Sequence, residues 1–550
     1  MNHSKDISKY LLSLIIIFSV VLRFTWLDRF PPSLYTDEIN QGYNAYSILL
    51  TARDEHGVLL PVSLRSFGDW KPPLPTYLMI PFIYFFGLSE FSVRLPSVLL
   101  GIGTIITSFY LIKEVFKKEP YNTHLALLVS FFLTISPWHI LQSRSAMLVM
   151  VALFFFELGI FLFIKSDKSP KLLIVSAVSF ALSIYSYYGM RIIVPITLVF
   201  LLFYFRKNIK RNFRELLMSA VVALLILTPL FVAYISEPDV VYGRVKTVSV
   251  FYDQGVELRQ WELIAQDGVT FSSPFISRLF HNNWYMFGRD IIRRFLSHFD
   301  GKYLLLTGDQ SPPFQIPSMG ILYLVDVVFG FYGLLLLFKE KYSLRMLIIF
   351  WMSVSFIPAA LTFMTPSSNR SFNSIVPLII LIAIGIAKVA KRKNLFLATS
   401  ITTLYAINFA YFLYQYLIIL PRQHSDWWSY GWKETVEYTR NIENKYDNIV
   451  IPDINGMPYI YFLFYNQYDP GRFQKEAVRT YVTDRFGFEH VESFNKYFFP
   501  MEFDWRYIKE NLQANTVYIV PYNQAGEDNN YIKAIFYPNG KIAYKIFAYE

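Results

Sequence analysis

The 550-residue chain is 54% hydrophobic and 19% aromatic, and its mean hydropathy is positive. Soluble domains are about 45–50% apolar, and the excess here lies in long runs, which is typical of a membrane protein. The chain has no cysteine, which excludes disulfides and thiolate metal sites. The formal net charge of +10 comes from bases that cluster between apolar runs, so it indicates membrane topology rather than nucleic-acid binding.

About eleven apolar runs are predicted to span the membrane, and the first has no small-residue cleavage site, so we interpret it as a retained helix. The run 77–88 is short and follows three prolines, which favours a re-entrant or interfacial segment. The predicted spans are residues 9–27, 95–116, 122–141, 146–164, 171–190, 191–205, 215–235, 318–338, 345–364, 374–390 and 395–419.

The basic clusters orient these spans. If residues 77–88 are not counted as a membrane span, the amino terminus and all the basic clusters fall on one side of the membrane. The positive-inside rule identifies this side as cytoplasmic. Counting 77–88 as a span would move every later cluster to the outside. The chain is therefore predicted to be an integral protein of a plasma membrane, most simply a bacterial one. The clusters lie at residues 113–118, 165–171, 206–214, 339–345 and 388–393.

Three long segments then face outward: the loops 28–94 and 237–317, and the tail 421–550. The tail alternates short apolar runs with polar stretches and carries Asn539-Gly540 between two strand-like runs, a strong hairpin signal. We predict a polytopic α-helical membrane domain over 1–420 and a carboxy-terminal extracytoplasmic α/β domain over 421–550. Residues 274–299 are predicted to form one helix, lying either on the membrane surface or in a soluble lobe.

Two adjacent carboxylates, Asp37 and Glu38, stand directly after the first apolar run. A carboxylate at a membrane boundary is able to act as a general base on an acceptor hydroxyl, or to hold a divalent metal. The alternative is structural, because Thr36-Asp37-Glu38 also suits the first turn of a helix.

Four basic residues are predicted to lie on the outer side, where bases in short turns are rare. Together they suit an anionic group at headgroup level, whereas any one of them alone is more often an anchor at a helix end. They are Lys71 beside the prolines of WKPPLP, Arg144 in SPWHILQSR, Arg191 in YSYYGMR, and Arg370 in TPSSNR.

Nucleotide and zinc chemistry have little support in the sequence. No phosphate-binding glycine loop or dinucleotide fingerprint is present. His56, His139 and His281 are scattered without the spacing of a zinc site. Cytosolic nucleotide sugars are not available on the outer face, so a donor that is already attached to a membrane lipid would fit chemistry there.

These features together resemble the C-type glycosyltransferases, in particular the clan of protein O-mannosyltransferases and the lipid A aminoarabinose transferase. The resemblance covers roughly residues 10–390 and depends on the order of several motifs. They are Asp37-Glu38 after the first helix, KPPL at 71–74 followed by FGLSEFSVRLPSVLLG at 86–101, SPWHILQSR at 136–144, and the later blocks at 308–324 and 365–377.

The resemblance implies an inverting transfer from a polyprenyl-phosphate sugar. It assigns Asp37 as the base toward the acceptor, Glu38 as its support, and Lys71 as a contact of the donor phosphate. We extend the phosphate role to Arg144, Arg191 and Arg370 from the topology. The base and the cations are expected on opposite walls of one cleft.

The sequence departs from many relatives after Arg144, where residues 145–150 contain no acid. We therefore predict that no metal or other cofactor is required, although a divalent metal at the two carboxylates remains compatible with the sequence. The expected enzyme is a mannosyltransferase-like membrane glycosyltransferase that acts on a protein, lipid or glycan hydroxyl. The alternative function is a polytopic lipid or solute transporter of the cell envelope, which would bury charge deep between helices.

Overall fold

The structure is a computed structural model that describes residues 2–270, 274–340, 342, 344–453, 457–484 and 487–550. By packing, the chain divides into two compact units. The first unit contains Met1–Ser19, Gly101–Leu141 and Ala152–Phe412. The second contains Val20–Leu100, Gln142–Val151 and Leu413–Glu550, and thus combines the loop 28–94 with the tail. The boundary predicted at residue 420 separates the membrane domain from the extracytoplasmic domain, whereas these two units are defined by packing alone. The predicted boundary therefore stays a prediction.

The fold is mainly helical. In chain order the helices before the tail are α1 (Asn2–Phe24), α2 (Thr36–Thr51), α3 (Leu74–Phe86), α4 (Glu90–Val115), α5 (Asn122–Ile135), α6 (Pro137–Arg144), α7 (Leu148–Lys165), α8 (Leu172–Ile184), α9 (Met190–Tyr204), α10 (Arg206–Arg211), α11 (Phe213–Ser236), α12 (Asp239–Val248), α13 (Gln254–Thr270), α14 (Pro274–Phe280), α15 (Asn283–Ser297), α16 (Leu324–Lys339), α17 (Arg345–Ala360), α18 (Ile375–Ala390), α19 (Leu395–Tyr414) and α20 (Leu420–Gln423). The tail adds α21 (Trp432–Ile442), α22 (Tyr459–Tyr465), α23 (Pro470–Glu476), α24 (Trp505–Ile508) and α25 (Tyr522–Ala525).

Within the described residues, six helices are long and apolar enough to cross a membrane, or up to seven if one bent pair counts as a single span. The predicted class, a polytopic α-helical membrane protein, is confirmed, whereas the number of eleven spans stays a prediction. The difference arises because several apolar runs form helices of only 13 to 16 residues. The six are Ile7–Phe24, Glu90–Val115, Leu148–Lys165, Phe213–Ser236, Phe372–Ala390 and Leu395–Gln423.

Two predicted helices are interrupted. The run 122–141 bends by 60° between α5 and α6, where Pro137 begins the second helix. The single helix predicted over 274–299 is wrong, because two helices form and the side chain of Asn282 caps the second by accepting a hydrogen bond from the Tyr285 backbone N–H. The short run 77–88 lies mostly in α3, which has 13 residues. At 1.5 Å per residue, α3 is about 20 Å long, too short for a hydrocarbon core of about 30 Å.

The strands form two sheets. A hairpin of β1 (Leu64–Ser66) and β2 (Asp69–Lys71) stands in the first loop. The tail holds a seven-stranded mixed sheet in the order β4-β5-β6-β3-β7-β9-β8, in which β3 runs parallel to β6 and β7. The hairpin predicted at Asn539-Gly540 is confirmed between β8 and β9. The remaining strands are β3 (Asn448–Val450), β4 (Val478–Thr480), β5 (His490–Phe494), β6 (Tyr497–Phe498), β7 (Thr516–Pro521), β8 (Lys533–Phe536) and β9 (Ile542–Tyr549).

The core of the second unit joins the first loop to one face of this sheet. Ile39 and Tyr43 of α2 share one buried cluster with Val517 and Ile519 of β7 and with most of α22. Alternate residues of β7 point to the opposite face, where Tyr518 belongs to a smaller cluster. The predicted α/β character of the tail is confirmed, and its packing fixes the loop that carries Asp37.

Candidate active site

Asp37 and Lys71 are in direct contact. Asp37 is the second residue of α2, and Lys71 is the last residue of β2, which a tight turn at Phe67 and Gly68 brings back along β1. The Lys71 Nζ atom lies 2.5 Å from Asp37 Oδ1 and 5.4 Å from the centroid of the Phe67 ring. The expectation that base and cation occupy opposite walls is therefore wrong for this pair.

The two partners differ in exposure. The side chain of Lys71 is 8% exposed, whereas that of Asp37 is 45% exposed and is therefore accessible to solvent. A buried ammonium thus holds a half-exposed carboxylate in one orientation. Such a carboxylate is able to accept a proton from a hydroxyl that approaches from the open side.

Glu38 lies one position further along α2 and has the opposite surroundings. Its carboxylate is buried and accepts hydrogen bonds from Arg94 Nε at 3.2 Å and from the Ala146 backbone N–H at 2.6 Å. It also accepts from the Tyr35 backbone N–H at 2.9 Å, which caps the first turn of α2. Glu38 therefore anchors the helix start from which Asp37 projects.

Arg94 is the residue that the sequence analysis missed. It is buried in α4, and its guanidinium also donates to the backbone carbonyls of Leu27, Pro31 and Ser33. It thereby connects the start of the loop 28–94 to the Glu38 carboxylate. An arginine inside an otherwise apolar helix was the available signal, because such residues are costly unless they are paired.

Arg144 is also buried, and its guanidinium donates to backbone carbonyls at the end of α1. Nη1 lies 2.6 Å from Leu22 O, and Nη2 lies 2.9 Å from Thr25 O and 3.1 Å from Phe30 O. Nε lies 3.2 Å from the Tyr416 hydroxyl. These hydrogen bonds engage all three nitrogens of the Arg144 guanidinium, and its predicted role in phosphate binding stays a prediction.

Arg191 lies in the first unit, at the start of α9, and packs between aromatic rings. Its guanidinium carbon lies 4.6 Å from the Tyr188 ring centroid and 5.2 Å from that of Tyr234. Among the described residues, its buried Nε has no hydrogen-bond partner. An unsatisfied buried donor on a cation is well suited to an anionic ligand.

Arg370 lies in the first unit as well, in the turn before α18. Its Nη1 donates to Thr362 Oγ1 at 2.8 Å and to the Met364 carbonyl at 3.0 Å. In the same turn, Ser368 Oγ donates to Asp309 Oδ2 at 2.9 Å, so the two later sequence blocks meet. Burial raises the pKa of Asp309, opposed by its hydrogen bonds and by the positive charge of Arg370.

The described residues contain no group of three or more His, Cys, Asp or Glu side chains placed to hold a metal ion. The expectation that no metal is required stays a prediction.

A family model described as dolichyl-phosphate-mannose-protein mannosyltransferase matches residues 70–232. The matched segment includes Lys71, Arg94, Arg144 and Arg191 but not Asp37. No curated protein matches the chain.

Several solved membrane proteins are similar in fold. An oligosaccharyltransferase from Archaeoglobus fulgidus, tethered to an acceptor peptide, is 13% identical over 98% of this chain and 74% of that chain, with a TM-score of 0.51. AglB from the same organism, in complex with an inhibitory peptide and a dolichol-phosphate, is 13% identical over 84% of this chain, with a TM-score of 0.49; this chain spans 64% of its length. ArnT from Cupriavidus metallidurans bound to undecaprenyl phosphate is 14% identical over 97% of both chains, with a TM-score of 0.48.

The protein is thus a polytopic membrane protein with the fold of the C-type glycosyltransferases. The predicted resemblance to that clan is confirmed by the family match and the structural similarity.

Proposed function

We propose that this protein transfers a sugar from a polyprenyl-phosphate donor to an acceptor hydroxyl on the extracytoplasmic face of a membrane, with inversion at the anomeric carbon. The observation that carries the proposal is the Asp37–Lys71 pair, a half-exposed carboxylate held by a buried ammonium at 2.5 Å. The matching family model is described as a dolichyl-phosphate-mannose-protein mannosyltransferase, and this description supports a sugar donor linked to a lipid phosphate.

In the proposed reaction the acceptor oxygen forms a bond to the anomeric carbon and its proton passes to Asp37. The bond between the anomeric carbon and the phosphate oxygen breaks, and polyprenyl phosphate leaves with the electron pair. An ammonium has three N–H donors, so Lys71 is able to contact a phosphate while it still holds Asp37. Charge that develops on the leaving phosphate is stabilised by such fixed cations.

We assign Asp37 as the catalytic base and Glu38 as a positioning residue, because Glu38 is fully engaged by Arg94 and by two backbone N–H groups. In the first unit, Arg191 was also predicted as a phosphate ligand, and its buried Nε, which lacks a protein partner among the described residues, suits an anion. Arg144 and Arg370 donate to backbone carbonyls, and their contact with a phosphate stays a prediction.

The extracytoplasmic location of the site also belongs to the proposal and depends on the distribution of the basic clusters. The transporter alternative would be favoured by charge deep between helices. Among the described residues, Glu157 in the middle of α7 is of this kind: it is buried, and its carboxylate accepts a hydrogen bond from Ser108 Oγ at 2.5 Å. A buried carboxyl with a hydroxyl partner does not outweigh the family match.

The test is Asp37→Asn in proteoliposomes. The donor is first identified by mass spectrometry of the lipid-linked sugars that accumulate when the gene is deleted. We expect the variant to be produced normally and to lose transfer by about 10²–10⁴-fold, the usual contribution of a general base. The matched control is Asp28→Asn, an exposed acid of the same loop, which should keep normal activity. Retained transfer by Asp37→Asn would remove the catalytic assignment.

A further inference from the structure

Helices α14 and α15 of the first unit leave many large apolar side chains exposed. Trp284 at the start of α15 is 92% exposed, and Phe275 near the start of α14 is 75% exposed. Further exposed apolar side chains of these two helices are Ile276, Leu279, Phe280, Tyr285, Ile292 and Leu296. Exposed apolar patches mark surfaces that contact a membrane or another protein, so this surface calls for a partner.

The exposed side chains of α15 form one continuous sector of the helix. At 3.6 residues per turn, Trp284, Ile292 and Leu296 lie within about 120° of its circumference. Arg289 and Arg293 follow at one edge of this sector, and both are exposed. An apolar sector with a basic edge is typical of a helix that lies in the headgroup layer of a bilayer.

The opposite face of α15 is already packed against the protein itself. Met286 belongs to a small buried cluster. The buried guanidinium of Arg294 donates to Asp253 Oδ2 at 2.7 Å and to the Thr362 carbonyl at 2.9 Å. Because these contacts hold α15 on the first unit, its exposed sector remains available for a partner.

The carboxyl end of α15 packs against the end of an apolar helix. The ring centroids of Phe295 and Phe299 lie 5.9 Å and 5.0 Å from that of Phe356, which belongs to α17. Directly after α17, Phe363 and Met364 are exposed as well. Exposed apolar side chains thus occur on α15 and at the end of the apolar helix that it contacts, which favours a bilayer over a soluble partner.

The segment 274–299 is also basic. It contains four arginines against Asp290 alone, which gives a formal charge of +3 with the histidines neutral. Arg278, Arg289 and Arg293 are exposed on the same helices as the apolar side chains. Arg293 donates to Asp290 at 3.0 Å and still keeps 74% of its side chain exposed. Basic residues in this position strengthen binding to a membrane that carries anionic lipids.

We propose that the exposed face of α14 and α15 is a lipid-binding surface, which lies in the headgroup layer of the membrane that the chain spans. The apolar sector around Trp284 inserts at the boundary between headgroups and acyl chains. Arg278, Arg289 and Arg293 bind the phosphates of anionic phospholipids. This role goes beyond the proposed function and is independent of the catalytic assignment of Asp37.

The lipid-binding surface is connected to one of the later sequence blocks. Thr362 accepts a hydrogen bond at its carbonyl from Arg294 of α15, at 2.9 Å, and at its hydroxyl from Arg370, at 2.8 Å. The depth of α15 in the headgroup layer therefore also sets the depth of the turn that carries Arg370.

The first test measures the depth of α15 with a nitroxide on a single cysteine, since the native chain has none. Trp284→Cys and Asn283→Cys are compared in the full chain, in vesicles of phosphatidylcholine and phosphatidylglycerol. Both positions are exposed, but Asn283 points about 100° away from the near edge of the apolar sector. We expect the label at 284 to collide mainly with oxygen, which dissolves in lipid. The label at 283 should collide mainly with a water-soluble nickel complex.

The second test measures lipid preference at the same place. A fluorophore on Trp284→Cys is quenched by phosphatidylglycerol or phosphatidylcholine that carries a nitroxide on its acyl chain. The preference for phosphatidylglycerol should fall about tenfold or more when Arg289→Gln and Arg293→Gln are added, because each arginine at an anionic surface contributes roughly a factor of five. The matched control, Lys509→Gln with Lys541→Gln, removes the same charge from exposed positions of the tail and should keep the preference.

Three results would overturn the proposal. If the label at 284 collides with the nickel complex as often as the label at 283, the helix lies in water. If the label at 284 is shielded from both reagents, or shows spin–spin broadening between two molecules, a protein or a second copy of the chain covers this face. If the arginine and lysine variants show the same preference for phosphatidylglycerol, the arginines do not recognise anionic lipid.

Discussion

At the scale of single residues, two neighbouring carboxylates have different surroundings, which suit them to different roles. Successive residues of a helix point about 100° apart, so Asp37 faces the open side while Glu38 faces the interior. Of the two explanations of the Asp37-Glu38 pair, the helix cap applies to Glu38, whereas the chemical role of Asp37 stays a prediction. Glu38 caps α2 by accepting from the Tyr35 N–H, and Asp37 remains half exposed beside Lys71.

The buried pair of Glu38 and Arg94 predicts a large effect on stability. In Arg94→Met the carboxylate of Glu38 would remain buried without its cation, and loss of one partner of a buried pair costs about 3–5 kcal/mol. We expect a clearly lower unfolding temperature in detergent. Replacing both residues, as Glu38→Gln with Arg94→Met, should recover part of the loss because no charge is then buried.

The matched control for this prediction is Arg29→Met. Arg29 is 73% exposed and lies 3.8 Å from Asp28, and exposed ion pairs contribute about 0–1 kcal/mol. Its unfolding temperature should stay close to that of the wild type. An Arg94→Met protein that unfolds like the Arg29→Met protein would contradict the anchoring role of the buried pair.

At the scale of elements, the sequence predicts the helices and turns whose signal lies within a few neighbouring residues. Long apolar runs indicate the membrane helices, and Asn539-Gly540 indicates the last hairpin, since hydropathy and turn chemistry act over a few residues. Helix α22 could not be identified in this way. All its residues from Tyr459 to Phe464 are buried, so the segment has no amphipathic period to distinguish a helix from a strand.

The candidate site could be predicted only in part, because the contacts that form it join residues far apart in the chain. Composition and position indicate that Asp37 and Lys71 are unusual, but their contact depends on a turn at Phe67 that no periodicity reveals. Arg144 and Arg94 have similar sequence surroundings, because each is a basic residue within or at the end of a mostly apolar segment. Only the fold reveals that each has backbone carbonyls around it.

Gly42 allows three helices of the second unit to approach closely. A Cβ atom at Gly42 of α2 would lie 2.6 Å from Val93 Cγ2 of α4 and 2.8 Å from a ring carbon of Phe464 of α22. We expect Gly42→Ala to lower the stability by about 1–3 kcal/mol, as overpacking of a core does. Thermal unfolding in detergent measures this change, and adding Val93→Ala should restore part of it.

Gly288 provides the comparison. It lies inside α15, and a Cβ atom there would meet nothing within 4 Å. Gly288→Ala should therefore be neutral or stabilising by about 0.5–1 kcal/mol, because alanine is the better helix former. Equal effects of the two substitutions would mean that α2, α4 and α22 do not pack as closely as described.

At the scale of the whole molecule, the basic clusters and the tail are expected on opposite sides of the membrane. The positive-inside rule assigns the cluster that contains Lys118 to the cytoplasm, and the tail that contains Lys541 to the outside. The absence of native cysteine makes this directly measurable, since one introduced thiol is the only thiol in the protein. Both lysines are exposed, so their replacement should not disturb packing.

In intact cells, a membrane-impermeant maleimide should label Lys541→Cys completely. It should label Lys118→Cys only after the membrane is permeabilised, because that thiol faces the cytosol. The tail packs on the first loop in one core, so the side on which Lys541 is labelled is also the side of Asp37. The reverse pattern would place Asp37 in the cytosol, where soluble nucleotide sugars are available, and the argument for a lipid-linked donor from the outer face would then fail.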